Sequence, residues 1–440
     1  MNKINDEDYL ASYFITNSVP FKFRGINFTF DLSHGLFSSA DVDSGTRFLL
    51  KVFSQMLDKD TAAGKPLPRH VLDAGCGCGI IGICAAAALG DGVSVRCQDR
   101  DELARLVTLR NAAKNRIPPA SLAAFTEPLL AVSGEPSSPS WDLIFSNIPA
   151  KAGAPVLEDF VRRSAGLLNP GGRVMIVVVN TLADFFREQI AGGIELVLEE
   201  RGPGHSVFVY SAANLPATEA IGAGPLFLKR YPFYIRAAAV CKIEEISVKL
   251  ETVYGAPGFD RPGGAVSAAV KLLRRLSLSA CSPILIHEGG QGFFPRFLIE
   301  FFRESGLPIP PLVFSGRNIL ALEAAKYNTG VENIVPAADL NLGREVLREA
   351  SCGGQYGAVI VFPELLPQSA LPKIGGKGRQ KQDQLTALWD ALPPLLSAGG
   401  LFLAAFGSSQ AERFDRKKPS GFTRLGSLKR DGFRALAYQR

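Results

Sequence analysis

The chain is predicted to be an α/β protein built from two copies of one domain, each a mainly parallel sheet with helices on both faces. Three observations predict this. Short apolar strands alternate with helical segments along 440 residues, of which 47% are hydrophobic. Residues 71–79 form an apolar strand that enters a glycine turn and then the apolar helical stretch 80–89. Residues 193–210 recur without a gap at 421–438, and both copies read as strand, turn and strand.

The glycine turn predicts a nucleotide-cofactor site. Gly75, Gly77 and Gly79 lack the Cβ atoms that would obstruct a tight strand-to-helix turn, so a ligand can lie directly on the backbone there. A dinucleotide fingerprint reads Gly-x-Gly-x-x-Gly, whereas this loop reads Gly-x-Gly-x-Gly with the carboxylate of Asp73 at its entrance. The negative charge of Asp73 would favour a cationic ligand at this loop. The loop resembles motif I of the class I methyltransferases, which implies S-adenosylmethionine as the cofactor.

A second acid follows at the spacing that a nucleoside requires. The predicted strand 93–98 ends at Asp99, twenty residues past the last glycine, where a carboxylate can accept hydrogen bonds from both ribose hydroxyls. Charge-assisted bonds of this kind contribute roughly 1.5–3 kcal/mol, so losing Asp99 should weaken binding about tenfold or more. The following helix ends in Asn111 to Asn115, which resembles the paired asparagines of the methyltransferases. The same resemblance implies that Glu127 binds on the adenine side.

A third strand, 141–145, delivers Ser-Asn-Ile-Pro-Ala at 146–150. This element resembles motif IV of amino-group methyltransferases, which implies that Asn147 and the carbonyl of Ile148 or Pro149 accept hydrogen bonds from the target amine. Methyl transfer is an in-line displacement, so positioning supplies much of the rate. The family's fourth position is usually an aromatic residue that stacks on the target base, whereas this chain has Ala150. The alternative is that Asn147 caps a turn before Pro149.

Three motifs upstream of the glycine turn indicate which group of methyltransferases the chain resembles. Gly-Leu-Phe-Ser at 35–38, Asp-Ser-Gly-Thr at 43–46 and paired leucines at 49–50 resemble the ribosomal RNA guanine-N2 methyltransferases. The resemblance implies that Asp43 and Thr46 help to close the cofactor pocket, and Gly153 fits the family's Asn-Pro-Pro-Phe-His-x-Gly. Ile148, Ala150 and Lys151 replace the family's first Pro, its Phe and its His. The motifs therefore predict the cofactor more firmly than the substrate.

The repeat predicts two tandem Rossmann-like class I methyltransferase folds, of which the second is degenerate. We expect a catalytic domain at 1–213, a linker at 214–226 and a methyltransferase-like domain at 227–440, two units of ordinary size. The second glycine loop reads Glu-Gly-Gly-Gln-Gly at 288–292, and Ser315 or Gly316 stands near the position of the ribose acid. Phe362 to Leu365 replaces the Asn-Ile-Pro element. The second copy should therefore bind cofactor poorly.

Charge and composition bear on the partner. The net charge is +6, and residues 412–440 carry nine Lys or Arg against three acids, while a second basic stretch spans 373–381. Both could meet phosphates, so the degenerate half is predicted to hold RNA, although plain solvated surface is the alternative. The longest apolar runs fall short of a membrane-spanning helix.

Cysteine and histidine give no sign of a metal site. Seven cysteines without zinc-like spacing indicate reduced thiols and a cytoplasmic protein, and Cys76 and Cys78 are interpreted as small loop residues. The four histidines are scattered, and each is interpreted as a turn or packing residue. These are His34, His70, His205 and His287.

The leading hypothesis is an S-adenosylmethionine-dependent N-methyltransferase that acts on an amine of RNA, with guanine N2 of ribosomal RNA as the target. Two alternatives stay open. Because Ala150 offers no stacking ring, the substrate could instead be a protein or small-molecule amine. The chain could also be a scaffold that binds cofactor or RNA without turnover, an idea that Asn147 speaks against.

Overall fold

The computed structural model describes residues 5–131, 141–191, 193–212, 227–276, 282–351, 354–365 and 383–440. The chain divides into two compact units. The first is Phe14–Gly224, and the second is Pro225–Arg440 together with Met1–Tyr13. The predicted linker 214–226 lies outside the described residues.

The first unit has a hairpin, a large sheet and five α-helices among its described residues. Its strands are β1 (Asn17–Phe23), β2 (Ile26–Leu32), β3 (His70–Ala74), β4 (Ser94–Asp99), β5 (Leu122–Thr126), β6 (Trp141–Asn147), β7 (Leu168–Val179), β8 (Ile194–Arg201) and β9 (His205–Ala212). Its helices are α2 (Ser44–Ala62), α3 (Ile80–Leu89), α4 (Glu102–Lys114), α5 (Ala154–Gly166) and α6 (Ala183–Gln189).

The second unit repeats this order of strands and adds further helices. Its strands are β10 (Ile235–Ile243), β11 (Ile246–Val253), β12 (Ile284–His287), β13 (Leu312–Gly316), β14 (Ile334–Pro336), β15 (Tyr356–Val361), β16 (Leu396–Gly407), β17 (Thr423–Arg430) and β18 (Phe433–Gln439). Its helices are α1 (Asp6–Tyr13), α7 (Phe227–Arg230), α8 (Gly264–Leu273), α9 (Phe293–Glu304), α10 (Ile319–Thr329), α11 (Arg344–Ala350), α12 (Gln384–Leu395) and α13 (Ser408–Arg416).

Each unit contains one seven-stranded sheet of the same topology. The orders are β5-β4-β3-β6-β7-β9-β8 and β14-β13-β12-β15-β16-β18-β17. All neighbours pair in parallel except the last strand pairs, β7 with β9 and β9 with β8, and their counterparts in the second sheet. From β3 the chain winds first toward β5 and later toward β8, so the order reverses beside β3. Ligands of open α/β sheets bind at this switch point, outside the carboxyl ends of the strands.

The two glycine turns share one backbone conformation. In the first unit φ is positive at Gly75, Gly77 and Gly79, at 80°, 56° and 79°. In the second unit φ is 57°, 66° and 115° at the corresponding residues Glu288, Gly290 and Gly292. A glutamate in this left-handed region is strained where glycine is not. The second unit has therefore kept the turn after losing one of the glycines that favour it.

A buried asparagine ties each turn to the hairpin that precedes it. The Asn111 Nδ2 donates to the carbonyls of Asp31 (3.0 Å) and Cys78 (2.9 Å), and its Oδ1 accepts from the Asp31 N–H (2.8 Å). Asn328 makes the same three bonds, to Glu251 and to the carbonyl of Gln291. This repeated bridge supports the internal duplication independently of sequence similarity, and it explains one of the asparagines of the predicted helix end.

The first helix of the chain packs within the second unit. The Tyr9 hydroxyl donates to Oδ2 of Asp339 (2.6 Å) and accepts from Nδ2 of Asn341 (2.9 Å), while Leu10 and Tyr13 are buried. The compact first unit therefore begins at Phe14 and not at residue 1, where the sequence placed the start of the catalytic domain. Eight residues with an acidic first turn carry no signal of which sheet they will join.

Asn111→Ala should lower the free energy of unfolding by about 3 kcal/mol or more, because it leaves buried backbone groups of Asp31 and Cys78 without partners. Asn115→Ala is the matched control. It removes bonds to the exposed backbone of Thr29, which water can replace, so we expect a loss of about 1 kcal/mol or less. Urea denaturation measures both, and equal losses would contradict the proposed importance of the buried bridge.

Candidate active site

The glycine turn presents an open face at two of its three glycines. A Cβ on Gly77 would meet no atom within 4 Å, and one on Gly75 would meet only Leu129, at 3.6 Å. A Cβ on Gly79 would instead lie 2.7 Å from Cγ2 of Thr108, so this glycine serves close packing of the turn against α4. The backbone at 75–77 is therefore the part that a ligand can approach.

Asp73 is a buried acid with an incomplete set of partners. Its Oδ2 accepts from the Gly82 N–H (2.8 Å), whereas its buried Oδ1 has no partner among the residues that the structure describes. Burial raises the pKa of Asp73 to about 7; the Gly82 bond opposes the shift and the charge of Asp99 adds to it. A positively charged ligand would offset the desolvation of this carboxylate. Asp73 therefore fits the ammonium and sulfonium of the predicted cofactor.

Asp99 ends β4 and reaches back to the turn. Its Oδ2 accepts from the Gly77 N–H and its Oδ1 from the Asp101 N–H, each at 3.0 Å. Burial is the main cause that raises the pKa of Asp99, and the charge of Asp101 adds to it. The two backbone bonds fix the carboxylate at the switch point beside the open glycines. This is the position that binding of ribose hydroxyls requires, so Asp99 fits its predicted role.

Glu127 follows β5 at the same edge of the sheet, but its carboxylate is already bound. Arg96 Nη2 donates to both of its oxygens (2.8 and 3.0 Å), and Gln98 Nε2 donates to one of them (3.2 Å). The contribution of Glu127 to an adenine site stays a prediction. Gln98 was missed by sequence reasoning, although a polar residue directly before the ribose acid was a usable signal. Its amide also binds the backbone of Leu130 and Ala131, which shapes this wall of the site.

The structure brings Asn147 together with the upstream motif. Asp43 is the N-cap of α2, and its Oδ2 accepts from the N–H groups of Gly45 (2.9 Å) and Thr46 (3.2 Å). The Asn147 Nδ2 donates to Oδ2 of Asp43 and to Oγ1 of Thr46, each at 3.0 Å. A carboxylate only accepts hydrogen bonds, so the nitrogen of the amide must face Asp43. The oxygen is left as an acceptor pointing the other way, as binding of an amine would need.

The residues after Asn147 form a turn and then reach the protein surface. The Pro149 carbonyl accepts from the Ala152 N–H (3.0 Å) in a turn, so the Ile148 carbonyl is the better candidate for a second acceptor. Pro149 and Ala150 are exposed.

Two phenylalanines near these motifs have opposite environments. Phe145 is fully buried and packs edge-on against Phe53, with ring centroids 4.9 Å apart, so it belongs to the core and cannot line a substrate pocket. Phe37 is 70% exposed, so core packing does not prevent it from contacting a substrate.

The corresponding edge of the second unit lacks these groups. Ile286 stands at the position of Asp73, Gly316 at that of Asp99, and Phe362 at that of Asn147. The carboxylate of Glu288 turns toward the end of β13, where Oε1 accepts from the Arg317 N–H (2.7 Å). Its oxygens would lie only 3.2–3.4 Å from a Cβ on Gly316. A protein carboxylate thus occupies the space beside the second turn.

Five of the nine basic side chains in segment 412–440 pair with acids of the second unit. Asp383 pairs with Arg413 and Lys417, Asp415 with Arg424, and Glu412 with Arg434. Arg430 pairs with Glu244 and Asp431. Its value as a phosphate-binding surface is therefore lower than its composition suggests. The other predicted basic stretch, 373–381, lies outside the described residues.

The remaining predictions concern cysteines and membranes. The cysteines at 76, 78, 84 and 97 are free and buried, and burial contributes to raising the pKa of each thiol. Within the described ranges, no group of three or more His, Cys, Asp or Glu side chains could hold a metal ion. None of the helices in those ranges combines the length and apolar character needed to cross a membrane.

A mainly parallel sheet with an open glycine turn and two acids at its switch point defines a nucleotide-cofactor domain of the class I methyltransferase type. A model of the methyltransferase small domain family matches residues 27–200. An uncharacterised Bacillus subtilis protein, YbxB, is 30% identical over 158 residues, which are 36% of this chain and 72% of the relative. The chain belongs to the methyltransferase small domain family, as its motifs predicted.

Two further comparisons concern ribosomal RNA methyltransferases. Ribosomal RNA small subunit methyltransferase C of Chromohalobacter salexigens is 34% identical over 161 residues, covering 36% of this chain and 43% of that protein. The chain therefore matches less than half of this relative's length. The structure of the T. thermophilus 16S rRNA guanine-N2 methyltransferase, in complex with AdoMet and guanosine, matches with a TM-score of 0.60 at 15% identity, covering 98% of this chain and 99% of that chain. It confirms the predicted fold class.

The raised pKa of Asp73 predicts an unusual pH dependence of stability. The unfolded chain ionises Asp73 near pH 4 and the folded chain only near pH 7, so the folded state binds more protons between these values. This residue therefore lowers stability as pH rises through that window. Asp73→Asn should gain stability relative to the native chain across it, as measured by urea denaturation at several pH values.

Asp142→Asn is the control for this measurement. Asp142 lies at the opposite edge of the sheet, and bonds from Asn169, His70 and Arg69 hold its pKa low against the effect of burial. Its contribution is complete above the ordinary pKa of Asp and is lost only as pH falls through the lowered value. The control should therefore show a constant loss above about pH 5. A flat profile for Asp73→Asn would contradict the assignment.

Proposed function

We propose that the first unit transfers the methyl group of S-adenosylmethionine to an amine of RNA, and that the amine is guanine N2 of ribosomal RNA. The observation that carries the proposal is the Asn147 amide, fixed by Asp43 and Thr46 at the edge that also holds Asp73 and Asp99. An oriented acceptor beside a nucleotide-cofactor turn is what transfer to an amine requires.

Methyl transfer to an amine depends on alignment of the two reactants more than on a strong base. When bound, S-adenosylmethionine supplies an activated methyl group on a cationic sulfur. Asp73 and the open backbone at 75–77 would hold it, and Asp99 would bind its ribose. The Asn147 Oδ1 and the Ile148 carbonyl would accept the two hydrogens of the amine, which leaves the nitrogen lone pair directed at the methyl carbon. When the nitrogen takes the methyl group, the sulfur would leave as a neutral thioether, and the methylated nitrogen would release one of its hydrogens as a proton to water. Holding reactants in such a geometry can supply several orders of magnitude of rate.

The substrate assignment is supported by the relatives. One is a ribosomal RNA small subunit methyltransferase, and the T. thermophilus enzyme of the same fold was solved with guanosine. A guanine in RNA would have to be unstacked to reach Asn147. We further propose that RNA contacts the second unit at basic side chains of 412–440, such as Lys429 and Arg416, for which the described residues show no salt bridge to an acid.

Ala150 favours one alternative substrate. It is exposed beside Asn147 and offers no ring on which a base could stack. A protein side-chain or small-molecule amine would not need one. Transfer of labelled methyl groups from S-adenosylmethionine into a cell extract, followed by separate ribonuclease and protease digestion, decides between the two. Label released by ribonuclease supports the RNA proposal, whereas label released only by protease would replace it.

Asn147→Ala should reduce kcat about a hundredfold, because the amine loses its oriented acceptor, while affinity for S-adenosylmethionine stays nearly unchanged. Thr46→Val is the graded control. It removes one of the two bonds that hold the amide and leaves the bond to Asp43, so its loss should be about tenfold or less. Single-turnover kinetics and calorimetric titration measure the two quantities. Native turnover in Asn147→Ala would rule out the proposed role of this residue.

Calorimetry should also find one S-adenosylmethionine site per chain. Asp99→Ala should weaken that site about tenfold or more, because the ribose loses a charged acceptor. Glu288→Gly should add no second site, since Ile286 and Gly316 still replace the two acids of the first unit. A second site of similar affinity in the native chain would show that the second unit is not degenerate in binding.

A further inference from the structure

His205 lies close to Asp43, the residue that binds the Asn147 amide, although the sequence analysis interpreted it as a packing residue. It is half-buried at the start of β9, with its ring over the first turn of α2. A Cβ on Gly45 would lie 3.2 Å from Nε2 of His205 and 2.9 Å from Oδ2 of Asp43. Two atoms this close to one point are at most about 6 Å apart. The imidazole therefore lies close to the carboxylate that holds Asn147.

The sheet places the side chains of Asn147 and His205 at the same edge. Asn147 pairs with Val177 of β7, and two residues further along β7, Val179 pairs with His205. The turn before His205 is held by Asn180, whose N–H donates to the Gly204 carbonyl (3.1 Å) and whose Nδ2 donates to the Gly202 carbonyl (3.0 Å). The ring is thus presented from a firmly bonded hairpin at the carboxyl edge of β6.

The second unit supplies an internal comparison. There Phe433 takes the place of His205, and its ring would come within 2.5 Å of a Cβ on Gly264, the first residue of α8. The turn is closed in the same way, since the Ser408 N–H donates to the Gly432 carbonyl (2.9 Å). Packing over the first turn of this helix therefore requires a ring but no ring nitrogen.

Of the two corresponding rings, only His205 has a ring nitrogen, and it belongs to the unit with the proposed amine site. The second unit has Phe362 at the position of Asn147, and its N-cap is Gly263 where the first unit has Asp43. The imidazole thus accompanies the Asp43 and Asn147 pair, and a phenyl ring accompanies its loss. This pairing indicates that the nitrogen of His205 serves the site and not the core.

We propose that His205 is a substrate-binding residue whose ring nitrogen forms a hydrogen bond with the nucleotide that presents its amine to Asn147. The proposal rests on the proposed function. Unpaired RNA bases are bound by stacking on rings, histidine included, and by hydrogen bonds at their edges. Ala150 supplies neither contact. His205 supplies a ring and a polar nitrogen at the first turn of α2, close to the Asp43 carboxylate that binds Asn147.

The test uses the full chain and the variant that its own second unit suggests. His205→Phe keeps the ring over Gly45, as Phe433 does over Gly264, and removes only the nitrogen. We expect KM for RNA to rise about tenfold with little change in kcat, in the affinity for S-adenosylmethionine or in the melting temperature. His205→Gln, which restores a polar nitrogen, should recover most of the loss. His70→Phe, at the opposite edge of the sheet, should leave KM unchanged.

Each failure has its own signature. A native KM in His205→Phe would overturn the proposal, and so would an equal loss in both His205 variants accompanied by a lower melting temperature, which would mean a packing role. Failure of the proposed function shows instead in the native chain, which would then place no label in RNA, and that result would overturn both proposals.

Discussion

The site depends on one buried side-chain amide. Asn111 is bonded to the backbone at Cys78 in the glycine turn and at Asp31 at the end of the hairpin, so it fixes two segments that are far apart in the chain. The loop that leaves the hairpin leads to Asp43, which in turn holds Asn147. Because unpartnered buried backbone groups are unfavourable, the three bonds of this amide restrict the turn and the loop together. Asn328 repeats the arrangement in the second unit, where the counterparts of Asp73, Asp99 and Asn147 are missing, which makes the bridge a requirement of the fold.

The acids of the first unit are placed at some expense of stability. Asp73 and Asp99 are both buried, and burial raises the pKa of each carboxyl group. The charge of Asp99 raises the pKa of Asp73 further, and the charge of Asp101 raises that of Asp99. Native folds keep such groups where a ligand compensates them. The second unit has replaced both by uncharged residues, and Glu288 satisfies its own carboxylate with a backbone N–H. Electrostatics therefore separates the binding unit from its degenerate copy more sharply than backbone geometry does.

Much of this could be predicted from the sequence, because it rests on local patterns. The strand and helix around the glycine turn lie where periodicity placed them. The motifs assigned Asp43 and Thr46 to the cofactor pocket, and only the structure shows that both bind the Asn147 amide. What could not be predicted depends on tertiary packing. Nothing local in α1 shows that it joins the second unit. The basic tail is rich in Lys and Arg, but its acidic partners include Asp383 and Glu244, which are distant in sequence. Phe145 is aromatic and lies two residues before Asn147, yet its side chain points into the core, where it packs against Phe53.

His205 illustrates the same limit from the opposite direction. As one of four scattered histidines it carried no pattern, and packing was the reasonable interpretation. Only the tertiary fold brings it close to Asp43, the residue that binds Asn147, and only the duplicated fold shows that Phe433 can fill the same position. An internal duplication thus acts as a built-in control, since both copies satisfy the same backbone constraints and differ where one of them has chemistry to perform. Residues that differ in polarity while their packing is unchanged are the ones that selection for function, and not for folding, would retain.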